Sequence, residues 1–381
     1  MAQTTPSPLH PDAEDARIFD ADVHLNVHID DLVEGGYIDD PMIEDKLDKY
    51  GSPPVLGGVT GTSAKYAKEV DERADHILGR AITADELDDV ADELGADEML
   101  LTPGNYLPMP HGPYPAVKRA VTEAYNDFLM EEAVDPDRGI YGALLVPDWD
   151  VDHGLAELER YGDEDAIISA FNWFSGYRPW GHESHDPLND KMVELDLPLQ
   201  MHFGGLTHHP TSLKHDSKRT YIEHVLLDRD EGALAEVLNI IFTGLFDKYP
   251  DLDIVINENG TTWIPHLAYR ADNWYQNSPE DIRLAPRMKE MGKEYLDKMP
   301  SEYIFENMWT TTVPIALPDD PRRAESMLDV SRAEDTFIFA TDWPHSAIDG
   351  PNWMFDNPAI GEDLQRRIFH ENAEEVYRFP E

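Results

Sequence analysis

Short apolar runs rich in Val, Ile, Leu and Phe recur along the chain, and amphipathic helical patterns lie between them. Continuous apolar strands that alternate with helices are typical of a parallel sheet covered on both faces. The predicted strands are IFDADVHL from Ile18, EMLLTPG from Glu98, IYGALLVPD from Ile140, AIISAFNWF from Ala166, LPLQMHFGG from Leu197, LDIVINENG from Leu252, YIFENMWTT from Tyr303 and TFIFATDW from Thr336.

Two of the intervening segments show a clear helical stripe of apolar residues. The stripes are Val117, Val121, Tyr125, Phe128 and Leu129 in the first segment, and Leu234, Val237, Leu238, Ile241 and Leu245 in the second. Strand and helix units repeated in this way over 381 residues predict an α/β fold, the (β/α)8 or TIM barrel. An open doubly wound sheet is the alternative, but no G-x-G-x-x-G motif follows the first strand to support a dinucleotide-binding version of it.

The predicted barrel occupies one domain, residues 17–381, after a flexible tail over residues 1–16. Two segments fit no simple strand and helix unit. They are a Gly- and Pro-rich stretch at about 30–81 and a His-rich, charged stretch at about 206–228. Long excursions from a compact α/β domain are usually lids or binding loops, so we expect both to be lid insertions.

The charge balance of the chain limits the kinds of molecule that the protein is expected to bind. The chain has 77 acidic and 30 basic residues, a formal net charge of -47, and this surface should repel nucleic acids and anionic membranes. The acids are dispersed, as expected of a halophilic protein kept hydrated at high salt, where repulsion is screened. With no basic n-region, no apolar signal segment and no run long enough to cross a membrane, the sequence predicts a soluble, cytoplasmic protein.

The absence of cysteine leaves His and carboxylates as the ligands for any metal. In a (β/α)8 barrel, polar residues at the C-terminal ends of strands are the first candidates for catalysis. Asp22 and His24 lie two apart on the first strand and share a face, while His202 and Asp342 end the fifth and eighth strands. Each alone is an ordinary capping or hydrogen-bonding residue. Their occurrence together at one edge predicts a site for a divalent cation with room for substrate.

Further side chains are candidates for the chemistry around this site. Glu258 ends the sixth strand and is either the general acid or base, together with Asp342, or a structural partner of a backbone amide or of Arg270. Arg270 is also a candidate partner for a substrate anion. His208, in the second insertion, is either solvated or a substrate contact. Trp173 is predicted to pack at the barrel mouth and to shape an apolar pocket there.

Several segments in order along the chain resemble the amidohydrolase-related branch of the amidohydrolase superfamily. This branch includes aminocarboxymuconate-semialdehyde decarboxylase and the resorcylate-type decarboxylases. The resemblance runs from about Ile18 to Phe379, nearly the whole chain. It is carried by FDADVHL, DPLNDKMVELDLPLQMHFGG, TGLFDKYPDLDIVINENGTTWIPHLAYRAD, FATDWPH and HENAEEVYRF.

The resemblance implies a distorted (β/α)8 barrel with one divalent metal; zinc is our first choice, and manganese and iron are alternatives. The family's first-strand H-x-H or E-x-H pair falls on Asp22 and His24, its strand-5 histidine on His202 and its strand-8 aspartate on Asp342. DWPH resembles the family's DYPH turn, and this implies that His345 lies close behind the metal ligands and beside the substrate.

The sixth strand departs from the family pattern. Many decarboxylases of this group have a catalytic His there, followed three residues later by Glu, whereas this chain has NENGTTW with Glu258 at the His position. We therefore expect hydrolysis of a small amide, ester or lactone by a water molecule that the metal activates. Non-oxidative decarboxylation of a small carboxylic acid is the alternative, and a non-catalytic ligand-binding barrel is a third hypothesis. A small-molecule substrate and a homo-oligomer are expected in each enzymatic case.

Overall fold

The structure is a computed structural model. It describes residues 10–14, 16–27, 29–50, 83–104, 114–173, 178–202, 233–344 and 351–380. Among these, no helix is both long enough and apolar enough to cross a lipid bilayer.

Eight parallel strands form one sheet in sequence order, β1 to β8, and each strand pairs with the next. The strands are β1 (Phe19–Leu25), β2 (Glu98–Pro103), β3 (Ile140–Leu145), β4 (Ile167–Trp173), β5 (Leu199–His202), β6 (Ile254–Asn257), β7 (Met308–Thr311) and β8 (Phe337–Ile338). Each strand is followed by helical structure, so the predicted (β/α)8 barrel is confirmed.

The barrel is closed by the chain that follows β8, because β8 itself has only two residues. The Ala21 amide donates to the Phe339 carbonyl at 3.0 Å, and the His24 amide donates to the Trp343 carbonyl at 2.8 Å. These bonds join the region after β8 to β1 and bring the end of the last strand beside the first.

Helices surround the strands and cover their outer faces. They are α1 (Ile29–Glu34), α2 (Pro41–Tyr50), α3 (Ala84–Leu94), α4 (Pro115–Phe128), α5 (Val151–Tyr161), α6 (Asp186–Glu194), α7 (233–242), α8 (Leu245–Lys248), α9 (Trp263–Asn277), α10 (Pro286–Met291), α11 (Pro300–Asn307), α12 (Pro321–Val330), α13 (Ala333–Thr336), α14 (Asn352–Phe355), α15 (Glu362–Arg366) and α16 (Asn372–Val376).

Both predicted helical stripes face the core. In α4, Val121, Tyr125 and Phe128 are buried, and a π-helical turn over Leu129–Ala133 continues the helix. In α7, Val237 is likewise buried. The apolar residues spaced three and four apart therefore determine which face of each helix packs on the sheet, as predicted.

The predicted start of the seventh strand is wrong. Residues 303–307 belong to α11, and β7 begins only at Met308. Pro300 occupies the first turn of α11, and the Glu302 carboxylate accepts a hydrogen bond from the Met299 amide at 2.7 Å. Proline in the first turn and this cap both favour a helix, so the apolar run that follows is helical before it is extended.

Part of the predicted tail over residues 1–16 makes contacts with the rest of the structure. The His10 ring stacks on Phe355 with centroids 5.1 Å apart, and the His10 amide donates to Asn352 Oδ1 at 2.7 Å. Residues 10–14 are therefore packed against α14. Of the predicted insertion at 30–81, the described part contains α1 and α2, while the rest and all of 206–228 lie outside the described residues.

Candidate metal centre

The first strand directs three polar side chains into the barrel. Asp20, Asp22 and His24 alternate with apolar residues along β1, and all three are fully buried. Side chains two apart on a regular strand point to the same face, so Asp22 and His24 share the interior face, whereas the register of β1 shifts between Asp20 and Val23. Polar groups at this depth require partners, and those partners come from β2, from β5 and from the chain after β8.

The structure brings the four predicted metal ligands together. One ligand atom from each of Asp22, His24, His202 and Asp342 lies within 4.8 Å of those of the other three, and all four residues are buried. Asp342 Oδ1 is 3.0 Å from His24 Nε2, and Asp22 Oδ2 is 3.5 Å from His202 Nε2. The two imidazole rings meet edge to face with centroids 5.0 Å apart.

Thr102, at the end of β2, contacts both ligand candidates of β1. Its hydroxyl donates to Asp22 Oδ1 at 2.7 Å and lies 2.9 Å from His24 Nδ1. A hydroxyl has only one proton, and here the carboxylate accepts it, so Nδ1 is the partner that donates to Thr102. This tautomer leaves the lone pair of His24 on Nε2, which faces the rest of the cluster.

The pKa values of Asp22 and His24 are shifted by the charged groups around them. Burial alone would raise the pKa of Asp22, but the imidazoles of His24 and His202 outweigh burial and hold that pKa below its ordinary value. Burial would likewise lower the pKa of His24, but the carboxylates of Asp22 and Asp342 raise it instead. The cluster therefore favours a positive charge at its centre.

The donor set fits a divalent metal ion. Two imidazole nitrogens and two carboxylates suit zinc, manganese or iron, and no thiolate is present to select a softer metal. Asp22 Oδ2 is buried, and the described group that faces it is His202 Nε2 at 3.5 Å, beyond a normal hydrogen-bond length. A buried anionic oxygen is costly unless a cation or a donor binds it, so this atom fits a metal at this position.

Asp342 reaches the cluster from outside a regular strand. It has a positive φ of 57°, in the left-handed region that non-glycine residues rarely occupy. The preceding residue, Thr341, is held by Asp20, whose carboxylate accepts from the Thr341 amide at 3.0 Å and from its hydroxyl at 2.5 Å. Burial raises the pKa of Asp20 to about 7. Asp20 thus anchors the segment that presents Asp342.

Glu258 lies beside the cluster, one residue beyond β6. It is buried and also has a positive φ, 55°. Its amide donates to Thr311 Oγ1 at 3.3 Å, and its Oε2 is 3.7 Å from His202 Nε2. A second acidic oxygen so close to a ligand candidate is placed to exchange a proton with a molecule bound at the centre.

The remaining predicted site residues lie in different parts of the structure. Trp173 is buried at the end of β4, in register with His202. Arg270 is exposed on α9, seven residues after the start of that helix, and its predicted contact with a substrate anion stays a prediction. His208 and His345 lie outside the described residues.

Asp20 and Thr102 were not among the predicted site residues. Asp20 had a detectable signal, because D-x-D-x-H puts a further carboxylate on a strand that is otherwise apolar. Thr102 had none, since threonine is common in strands. Its role depends on the pairing of Thr102 with His24 across β1 and β2, which only the register reveals.

A second group of potential metal ligands lies outside the barrel. Glu123, His153 and Glu157 come together between α4 and α5. The carboxylate of Glu157, however, already accepts hydrogen bonds from Arg160 Nη1 and Asn126 Nδ2, each at 2.8 Å. A carboxylate neutralised by arginine is a poor metal ligand, so the barrel cluster is the better candidate.

Comparison with known proteins agrees with this geometry. A family model described as amidohydrolase matches residues 19–379. A gamma-resorcylate decarboxylase of a Polaromonas species is 25% identical over 270 residues, which are 66% of this chain and 74% of that protein. A second such decarboxylase, from a Rhizobium species, is 27% identical over 268 residues, again 66% and 74% of the two chains.

Solved structures share the fold. An amidohydrolase from Mycobacterium avium subsp. paratuberculosis superposes with a TM-score of 0.69 at 18% identity, over 95% of this chain and 99% of that one. A dihydroxybenzoic acid decarboxylase from Polaromonas, solved with manganese and 2-nitroresorcinol, gives a TM-score of 0.60 at 20% identity, over 95% and 96%. At these identities the likeness establishes the distorted barrel of the amidohydrolase fold.

Proposed function

The chain belongs to the amidohydrolase family, and we propose that within it the protein is a metal-dependent, non-oxidative decarboxylase of a small hydroxybenzoate. The observation that carries the proposal is the pairing of the four-residue metal centre with a buried carboxyl group, Glu258 Oε2, 3.7 Å from His202 Nε2. The curated relatives that are gamma-resorcylate decarboxylases support the reaction, and their substrate suggests the substrate class.

Asp22, His24, His202 and Asp342 are the residues that would hold the metal. When bound, a divalent cation supplies positive charge that binds and polarises oxygen atoms of the substrate. Thr102 orients Asp22 and His24 by holding Oδ1 and Nδ1, so that Oδ2 and Nε2 face the centre. Manganese is supported by the manganese in the Polaromonas decarboxylase, and zinc and iron suit the same ligands.

Glu258 supplies the proton in this mechanism. The bond between the ring carbon and the carboxylate carbon breaks, carbon dioxide leaves, and the electron pair remains on the ring carbon. The Glu258 carboxyl gives its proton to that carbon, and solvent reprotonates the glutamate after the product leaves. Atoms and charge balance without an oxidant, a reductant or the uptake of water.

The replacement of the family's histidine by Glu258 is compatible with this role. Glutamic acid and the imidazolium of histidine each carry one transferable proton. The positive φ of Glu258, together with the bond from its amide to Thr311 Oγ1, sets the direction of its side chain. We therefore expect Glu258 to donate the proton in decarboxylation, with a pH dependence that differs from that of relatives with histidine at this position.

Hydrolysis of an amide, ester or lactone, which the sequence analysis put first, has less support. Hydrolysis would use the same metal ligands, with Glu258 as a base toward water. The curated relatives favour the decarboxylase alternative. A non-catalytic barrel would give no role to the four buried candidate metal ligands.

The test is a direct assay of products. Manganese-loaded protein at high salt is incubated with 2,6-dihydroxybenzoate and with 5-carboxyvanillate, and carbon dioxide and the decarboxylated phenol are measured. We expect both products in equal amounts from at least one acid, at a rate that the Glu258→Gln variant lowers by about 10²–10⁴-fold. Hydrolysis of a panel of amides, esters or lactones, without release of carbon dioxide from any acid, would overturn the proposal.

A further inference from the structure

Three interior residues form a row across adjacent strands near the metal centre. Trp173 of β4 is in register with His202 of β5, and His202 is in register with Asn257 of β6. Residues in register on neighbouring parallel strands point to the same side of the sheet. Because His202 points into the barrel, Trp173 and Asn257 flank it on the interior face.

Both flanking residues have polar atoms without partners. Asn257 Nδ2 and Oδ1 and Trp173 Nε1 are buried and form no hydrogen bond within the part of the chain that the structure describes. The contrast is Asn126, also fully buried, whose amide donates to the Leu145 carbonyl and Glu157 and accepts from the Leu145 amide. Leaving a buried amide unsatisfied destabilises a protein, so Asn257 requires an explanation other than packing.

We propose that Asn257 binds a ring hydroxyl of the substrate, and that Trp173 donates a hydrogen bond to a substrate carboxylate oxygen. Asn257 has both a donor and an acceptor to offer, and a hydroxyl uses both, because it can accept from Nδ2 and donate to Oδ1. A methoxy group can only accept. The indole of Trp173 has only a donor, which suits an oxygen anion.

The register also gives the spacing of the row. Neighbouring strands are about 4.8 Å apart, so the backbones of Trp173 and Asn257 are separated by about 10 Å across β5. His202 lies between them, so a small acid that reaches both side chains would lie beside the metal centre.

This inference rests on the proposed function, because it takes a hydroxybenzoate as the ligand. The test therefore uses binding and stability as well as turnover. Dissociation constants of manganese-loaded native protein, Asn257→Leu and Trp173→Phe are measured for 2,6-dihydroxybenzoate, 2-hydroxy-6-methoxybenzoate and benzoate. Thermal unfolding of the ligand-free proteins is measured in parallel, with Asn126→Leu as the matched control and Asn257→Ala as a second variant.

We expect native protein to prefer the dihydroxy acid over its methoxy analogue about tenfold or more, and Asn257→Leu to lose that preference. Trp173→Phe should weaken all three ligands by a similar factor. Asn257→Leu should unfold at the same or a higher temperature than native protein, whereas Asn126→Leu should unfold at a lower one.

Two results would count against the inference in different ways. If native protein binds the dihydroxy acid and both Asn257 variants keep the hydroxyl preference, the assignment of Asn257 is wrong while the proposed function stands. If native protein binds none of the three acids and also releases no carbon dioxide from 2,6-dihydroxybenzoate or 5-carboxyvanillate, the proposed function itself fails, and the hydroxyl assignment fails with it.

Discussion

Asp342 Oδ1 lies 3.0 Å from His24 Nε2, although the two residues are 318 positions apart in the sequence. A carboxylate this close to the lone-pair nitrogen of an imidazole is stable when a proton or a metal ion lies between them. The contact is thus the structural reason to treat the cluster as a cation site. It also makes the cluster testable by removing single ligands.

Removal of a ligand should abolish metal binding. We expect about one equivalent of zinc, manganese or iron in native protein purified without chelators, and little in His202→Ala or Asp342→Ala, because structural and catalytic sites depend on each ligand. Elemental analysis measures the content. His153→Ala, from the cluster between α4 and α5, is the control and should retain the metal. Equal metal content in all four proteins would contradict the assignment.

Loss of the Thr102 hydroxyl should weaken metal binding without removing a ligand. Thr102→Val releases Asp22 Oδ1 and His24 Nδ1, and loss of such outer contacts typically costs about 10–100-fold in affinity. Thr102→Ser keeps the hydroxyl and should bind almost as native protein does. Competition with a chromophoric chelator measures both. Equal affinities of the valine and serine variants would show that the hydroxyl does not orient the ligands.

Glu258→Gln should separate catalysis from metal binding. The amide cannot give up a proton as the carboxyl does, so we expect kcat to fall by about 10²–10⁴-fold. Metal content should stay near the native value, since Glu258 is not among the four clustered ligands. Single-turnover rates with 2,6-dihydroxybenzoate provide the measurement. A kcat close to the native value would show that a group other than Glu258 supplies the proton.

Asp253 should make stability depend on pH. Burial raises its pKa from 3.8 to about 7, so the folded state holds a proton that the unfolded state has lost. This contribution is fully present below pH 3.8 and is lost as the pH rises through about 7. Asp253→Asn keeps the acceptor for Trp309 Nε1 and should be about 1–3 kcal/mol more stable than native protein at pH 8, with little difference at pH 4.

Urea unfolding at fixed high salt, repeated across this pH range, measures the effect. The exposed Asp137→Asn variant changes the net charge by the same amount but keeps Asp253, so its stability curve should run parallel to that of native protein. Parallel curves for native protein and Asp253→Asn would mean that the carboxylate remains ionised in the fold.

The surface charge should make folding depend on salt. With a formal net charge of -47, repulsion between dispersed carboxylates opposes the compact state unless counter-ions screen it. We expect circular dichroism and tryptophan fluorescence to report unfolding as KCl is lowered from molar to millimolar concentrations. A fold that is indifferent to KCl would remove the support for a halophilic protein.

Most of the barrel followed from the pattern of apolar residues. Strands such as β3, buried on both faces, show as continuous apolar runs, and the helical stripes have a different period. The exception was the segment from Tyr303, because a short apolar run fits either a strand or a buried helix. The Pro300 and Glu302 signals at the start of α11 would have decided the question.

The candidate metal ligands were predictable for a different reason. Asp22, His24, His202 and Asp342 are chemically distinctive and fall where strands end, so the barrel rule selects them. A contact between Arg270 and the substrate is still a prediction, because the charge of a helix residue does not by itself say what it binds. Asn257 was missed because an unsatisfied amide is a property of its surroundings, which a sequence does not contain.

The closure of the barrel by residues after β8 has a consequence for the order of events in the cell. Asp20 and Thr341 meet across 321 positions, and this contact helps to place Asp342. During synthesis on the ribosome, the first strand emerges long before its partner segment exists. A nascent chain would therefore lack both a closed barrel and the fourth candidate ligand until the segment after β8 has emerged. Incorporation of an ion at this centre would thus have to wait until Thr341 and Asp342 have been made.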